Sequence, residues 1–149
     1  MKTIKGDLIQ LAKDGKFDVI AHGCNCQTVM GAGIAKSIKQ NFLPAYAADM
    51  KTTKGDRKKL GTCTFAAILP SNLIVVNAYT QFDYKGRGVK VDYDAVRSCM
   101  KWIAEKFPRS KIGLPKIGAG LAGGDWEKIQ KIIEEEMFAV DVTIVEYAP

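Results

Sequence analysis

The chain has 149 residues and a formal net charge of +6, and 47% of its residues are hydrophobic. This length and apolar content predict one globular domain over residues 1–149. No apolar stretch approaches the roughly 20 residues that cross a bilayer, which excludes membrane insertion. The four cysteines form no C-x-x-C pair and the strand-like start leaves no room for a signal peptide. We therefore expect a cytoplasmic monomer with reduced thiols.

Apolar runs and helical patterns mostly alternate along the chain. The runs predict strands at about Lys2–Lys5, Phe17–Ala21, Thr62–Leu69, Leu73–Tyr79, Lys111–Ile117 and Val142–Tyr147. The helical patterns lie at Leu8–Lys13, Ile34–Phe42, near Ala45–Lys51, at Val91–Phe107 and at Trp126–Phe138. Because only Pro70-Ser71-Asn72 separates the third and fourth strands, these two should form a hairpin. We predict an α/β fold, a three-layer α/β/α sandwich around a mixed, mainly six-stranded sheet.

Two glycine-rich turns, Met30–Ile34 and Ile117–Gly124, each follow an apolar run and lead into a helical pattern. Glycine lets N–H groups approach an anion, and the helix behind each turn points its positive end toward the same place. Ligands of open α/β sheets bind beyond the carboxyl ends of the strands, where both turns lie. The two turns therefore predict a site for one diphosphate.

Other nucleotide and metal motifs fit poorly. The second turn satisfies G-x-G-x-x-G, but only one strand follows it, too few for a dinucleotide-binding dehydrogenase. Met30 and Ala35 occupy positions where a phosphate-binding NTPase loop requires glycine. No cysteine precedes an arginine at the spacing of a cysteine phosphatase. His22, Cys24 and Cys26 lie too close together for a tetrahedral zinc site, so we expect no metal.

Three polar residues near the turns have both a structural and a functional interpretation. His22, the only histidine, precedes the first turn and is either a core residue or a general acid or base. Asp7 and Asp125 each precede a helix, where a carboxylate caps backbone N–H groups, and either could face the ligand instead. The residues alone leave these alternatives open.

Five basic residues crowd into one connection: Lys51, Lys54, Arg57, Lys58 and Lys59. A solvated loop is the favoured interpretation, and a patch that follows nucleic-acid phosphates is the alternative. Aromatic residues are not interleaved with these cations, as a stacking platform for single strands requires. Nucleic acid is thus a weakly supported partner.

Three segments occur in an informative order: Lys5–Ile9, then His22–Asn25 with Met30–Ile34, then Leu114–Leu121. Together they resemble the macrodomain family, the ADP-ribose-binding α/β/α module, over essentially the whole chain. The resemblance implies ADP-ribose or a derivative as the small-molecule partner, with no cofactor.

The resemblance also implies roles for individual residues. Asp7 would accept a hydrogen bond from the adenine amino group, Leu8 would back the base and Tyr147 would stack on it. Asn25 would hold the distal ribose. Backbone N–H groups would surround the diphosphate from both turns, at Gly31, Ala32, Gly33, Ile34, Gly118, Ala119, Gly120 and Leu121.

Within the family, Asn77–Gln81 and Gly120–Trp126 are most similar to the branch that processes ADP-ribose 1''-phosphate. Ala35 stands where the protein mono-ADP-ribosyl hydrolases carry an aspartate. The branch that removes ADP-ribose from glutamate or from DNA bases uses a lysine near Tyr79–Gln81, which this chain lacks, and its glutamate-directed enzymes carry an aspartate where this chain has Ala122. The resemblance implies hydrolysis of ADP-ribose 1''-phosphate to ADP-ribose and phosphate. By hypothesis, His22 and Asp125 lie near the terminal phosphate as catalytic residues, and the activity is insensitive to chelators. ADP-ribosyl hydrolysis and non-catalytic ADP-ribose binding are the alternatives.

Overall fold

The computed structural model describes residues 1–148 and contains a six-stranded sheet. The strands are β1 (Lys2–Gly6), β2 (Val19–Cys24), β3 (Cys63–Ile68), β4 (Leu73–Tyr79), β5 (Lys111–Leu114) and β6 (Asp141–Tyr147). Their order is β1-β6-β5-β2-β4-β3. All neighbours are parallel except β3 and β4, which form the predicted antiparallel hairpin. The predicted mixed sheet is therefore confirmed.

Helices cover both faces of this sheet. They are α1 (Leu8–Lys13), α2 (Gly33–Asn41), α3 (Leu43–Met50), α4 (Tyr93–Lys106) and α5 (Trp126–Glu136). One core cluster joins α4 and α5 to the sheet through residues such as Met100 and Ile133. A second cluster joins α1 and α2 to the opposite face through residues such as Ile9 and Ile38. These two cores make the predicted three-layer sandwich.

Two strands, β2 and β5, end three residues away from the predicted position, and β1 and β3 end one residue away. β2 continues past Ala21 to Cys24, because the chain keeps pairing with β4 through His22, Gly23 and Cys24. β5 stops at Leu114, since Pro115 has no N–H to donate to a neighbouring strand. The extension of β2 places His22 inside the sheet rather than after it. None of the helices in residues 1–148 is long and apolar enough to cross a membrane.

Candidate ligand cleft

Two adjoining cavities lie at the carboxyl ends of the strands, with volumes of about 520 and 780 Å³. They share five lining residues: Gly33, Ile34, Pro115, Lys116 and Gly120. The cavities are therefore two parts of one cleft between the glycine turns, of the size that binds a nucleotide-like molecule. We call its two parts the Asp7 end and the Asn25 end.

All twelve ligand-binding residues proposed from the sequence line this cleft. At the Asp7 end, Asp7 caps α1: its Oδ1 accepts hydrogen bonds from the N–H groups of Ile9, at 2.9 Å, and Gln10, at 3.3 Å. The carboxylate thus caps the helix and also lines the cavity, with its second oxygen outside these bonds. Leu8 is buried beside it, whereas Tyr147 at the end of β6 is 72% exposed.

The first glycine turn presents a bare helix N-terminus to the middle of the cleft. α2 begins at Gly33, and its N-cap residue, Ala32, contributes no side-chain hydrogen bond. The first N–H groups of a helix have no acceptor within the helix, so here they can bind an anion. Gly33 has φ of +56°, a conformation that favours glycine.

The second turn faces the first across the cleft. It is closed by backbone hydrogen bonds from Gly124 N to Gly118 O, at 2.8 Å, and from Gly123 N to Gly120 O, at 3.0 Å. Leu121 is 79% exposed, yet its Cδ1 would lie 3.2 Å from a β-carbon on Gly33. The side chain of Leu121 therefore reaches across the cleft from the second turn to the first.

The Asn25 end is shaped by the amide of Asn25. Its Nδ2 donates to the carbonyl of Val29 at 2.9 Å, and its Oδ1 accepts from the N–H of Gln27 at 2.9 Å. One Nδ2 hydrogen is left for a ligand. Gln81 and Tyr84 also line this end, and neither was predicted from the sequence as a site residue. The only indication in the sequence was the position of Gln81 just after a strand.

His22 lines neither cavity and is fully buried within β2. Its Nε2 lies 2.7 Å from Oδ1 of Asn77, whose Nδ2 donates to the carbonyl of Ala45 and to Oγ1 of Thr64. Because Asn77 Oδ1 is thereby fixed as an acceptor, Nε2 of His22 carries the proton. Burial lowers the pKa of His22 to about 4, against a smaller opposing effect of the bond to Asn77. The ring is therefore neutral at pH 7.

Asp125 also lies outside the residues that line the cleft, although its neighbours Gly124 and Trp126 are among them. Its Oδ1 accepts from the N–H of Glu127 at 3.0 Å and caps α5. Its own N–H donates to the hydroxyl of Tyr93 at 3.0 Å. The structure therefore places both residues of the predicted catalytic pair in structural positions. Within residues 1–148, no group of three or more His, Cys, Asp or Glu side chains is arranged for a metal ion.

The basic connection is only partly a solvated loop. Lys59 is 7% exposed, and its Nζ donates to the carbonyl of Cys26 at 3.3 Å. The guanidinium carbon of Arg57 lies 3.9 Å from the centre of the Phe82 ring. Cys26 follows Asn25, and Phe82 follows Gln81, so both contacts hold the loops at the Asn25 end. The remaining cations, Lys51, Lys54 and Lys58, are exposed as predicted.

Comparison with known proteins agrees with this geometry. The family model described as Macro domain matches residues 21–133. The chain belongs to the macrodomain family. It is 34% identical to an uncharacterized 17.5 kDa protein of the tk-vs intergenic region of Enterobacteria phage T4, over 100% of this chain and 97% of that protein.

Two further relatives carry functional names. An ADP-ribose 1''-phosphate phosphatase of Scheffersomyces stipitis is 24% identical, over 97% of this macrodomain and 99% of the relative. The ADP-ribose glycohydrolase OARD1 of Homo sapiens is 29% identical, over 97% of this macrodomain and 88% of the relative.

Solved structures have the same fold. A protein of unknown function from Bacteroides thetaiotaomicron matches with a TM-score of 0.80 and 28% identity, over 97% of this chain and 96% of that one. Thermosipho africanus DarTG in complex with ADP-ribose matches with a TM-score of 0.76 and 18% identity, over 99% of this chain and 41% of that one. The predicted macrodomain-like α/β fold is therefore confirmed.

Proposed function

We propose that this macrodomain binds ADP-ribose and hydrolyses ADP-ribose 1''-phosphate to ADP-ribose and phosphate. The observation that carries the proposal is the single cleft, whose two ends are joined between the glycine turns and whose lining includes all twelve residues proposed from the sequence. In this proposal the domain acts as a cytoplasmic monomer without a metal or cofactor.

Each part of the ligand has a matching part of the cleft. The adenine lies at the Asp7 end, where the free carboxylate oxygen of Asp7 accepts from the amino group and Tyr147 covers the ring. The diphosphate lies between the N-terminus of α2 and the second turn, next to Lys116, whose Nζ lies 3.7 Å from Oε1 of Glu146. The distal ribose and its phosphate then lie at the Asn25 end.

Hydrolysis at the Asn25 end relies on placement and charge stabilisation. The residues that line this cavity include no carboxylate and no imidazole. Water adds to phosphorus, the bond from phosphorus to the ribose oxygen breaks, and the proton that the water loses passes to the departing ribose oxygen. Backbone N–H groups and Asn25 stabilise the charge on the phosphoryl oxygens. His22 anchors the end of β2 beside Gly23, which lines this cavity, whereas Asp125 caps α5, whose first residue, Trp126, lines the Asp7 end.

A substrate panel tests the proposal. The wild-type chain is first titrated with ADP-ribose by calorimetry, then incubated with ADP-ribose 1''-phosphate, acylated ADP-ribose and ADP-ribosylated protein. We expect phosphate release from the first substrate, unchanged by a chelator. Absence of ADP-ribose binding at millimolar ligand would refute the assigned cleft, and binding without phosphate release would refute the phosphatase activity.

ADP-ribosyl hydrolysis is the second candidate, because the relative with 29% identity is named an ADP-ribose glycohydrolase. This activity predicts release of ADP-ribose from acylated ADP-ribose or modified protein without production of phosphate. The same panel therefore separates the two activities, and a protein that only binds ADP-ribose turns over none of the substrates.

A further inference from the structure

Thr80 carries a buried hydroxyl without a protein partner. Its side chain is fully buried one residue beyond the end of β4, and its Oγ1 makes no hydrogen bond within residues 1–148. Its backbone groups are paired, because the N–H donates to Cys24 O and the carbonyl accepts from Asp92 N. An unpaired buried hydroxyl is unfavourable, and valine would fill the same volume without that cost. The hydroxyl therefore requires an explanation that packing does not supply.

This hydroxyl lies directly behind the lining of the Asn25 end. A β-carbon added to Gly23 would lie 2.7 Å from Thr80 Oγ1 and 3.2 Å from Ile117 Cγ1. Gly23, Ile117 and the next residue along the chain, Gln81, all line this cavity. A side chain at position 23 would press against the hydroxyl, so glycine keeps the space between the hydroxyl and the cavity free of carbon.

We propose that Thr80 is a hydrogen-bonding residue of the distal ribose subsite. Its hydroxyl bonds, beside Gly23, to an oxygen that enters with the ligand: a hydroxyl of the distal ribose or the water held against it. This inference rests on the proposed function, because it uses the assignment of the distal ribose to the Asn25 end. It also explains why a polar atom is kept in a position where the unliganded protein gains nothing from it.

Thr80→Val is the main test, with Thr80→Ser as the matched control that keeps the hydroxyl. Wild-type and variant proteins are titrated with ADP-ribose and with ADP, which lacks the distal ribose, and are assayed with ADP-ribose 1''-phosphate. One ordinary hydrogen bond corresponds to about a two- to tenfold change in a binding or rate constant. If the partner is a ribose hydroxyl, Thr80→Val weakens ADP-ribose binding by this factor. If the partner is the water held against the ribose, and this water is the one that adds to phosphorus, only kcat falls.

In both cases Thr80→Val keeps the wild-type affinity for ADP and the wild-type thermal stability. Thr80→Ser, which keeps the hydroxyl, retains the property that Thr80→Val loses. A second variant, Gly23→Ala, should lose the same property, and because its methyl group would lie 2.7 Å from Thr80 Oγ1 it should lower thermal stability as well. The inference is overturned if Thr80→Val keeps wild-type ADP-ribose affinity and kcat. It is also overturned if the variant loses thermal stability and ADP affinity together, which indicates a structural hydroxyl. A wild-type chain that binds no ADP-ribose refutes the proposed function instead, and the inference with it.

Discussion

The buried position of His22 predicts a specific loss of stability in acid. Its pKa falls from the ordinary value of 6.5 to about 4 on folding, because burial disfavours the imidazolium. Well above pH 6.5 the ring is neutral in both the folded and the unfolded chain, and its full contribution to stability is present. As the pH falls further, the unfolded chain takes up a proton that the folded chain refuses. At about 1.36 kcal/mol per pKa unit, the free energy of unfolding should lose about 3 kcal/mol by pH 4 from this group alone.

Urea unfolding of the wild type and of His22→Gln, at several pH values between 7 and 4, measures this loss. Glutamine cannot titrate in this range and keeps an amide that can donate to Asn77. The effect of Asp49 on the pH dependence of stability has the opposite sign, because burial raises the pKa of its carboxyl group. Since Asp49 is present in both proteins, this effect cancels in the difference between them. The difference in unfolding free energy should therefore shift by about 3 kcal/mol, to the disadvantage of the wild type, as the pH falls. A difference that does not change with pH contradicts a buried, neutral His22.

Three further substitutions test the cleft, each with a matched control. Asp7→Asn keeps an oxygen that can cap α1 but replaces the second carboxylate oxygen, an acceptor, with a donor. ADP-ribose affinity should therefore fall about tenfold with little change in Tm. Asp7→Ala removes the cap as well and should also cost about 1 kcal/mol of stability. Equal affinity of Asp7→Asn and wild type in calorimetry would remove Asp7 from the adenine site. Gly33 and Gly15 have positive φ values of +56° and +78°, so alanine at either position strains the backbone and should lower Tm. Only Gly33→Ala should also weaken ADP-ribose binding, because Gly33 lines the cleft and Gly15 does not. Lys59→Met should reduce ADP-ribose affinity by disturbing the loops at the Asn25 end, whereas the exposed Lys58→Met should not; equal affinities would show that the Lys59 contact does not reach the site.

Features set by neighbouring residues in the sequence could be predicted. The pattern of the apolar residues identified all five α-helices and all six strands, though not the short 3-10 helix Arg57–Lys59, and the three residues between β3 and β4 identified the hairpin. The residues that line the cleft could be predicted from the glycine turns and from the resemblance, because the backbone conformation of these turns depends on their own local sequence. Asp7 and Asp125 were also recognised as possible caps, since a cap depends on the residues that follow it.

Features set by distant residues could not be predicted. His22 looked like the end of a strand because the apolar run stops at Ala21, yet pairing with β4 continues, and the side chain finds Asn77 far along the chain. The buried position of Lys59 depends on a carbonyl at Cys26, which no local pattern indicates. Gln81 and Tyr84 reach the cleft only because the loop after β4 folds toward the first turn.

The connection with five basic residues contributes both surface charge and internal contacts. The internal contacts come from Lys59, which bonds to Cys26, and from Arg57, which stacks on Phe82. Lys51, Lys54 and Lys58 point outward, and neutralising all three would halve the formal net charge of +6. Long-range attraction to polyanions would weaken, while the contacts to Cys26 and Phe82 would remain intact. Substitutions at three positions of this connection therefore change surface charge alone, whereas substitutions at Arg57 and Lys59 also remove the contacts to Phe82 and Cys26.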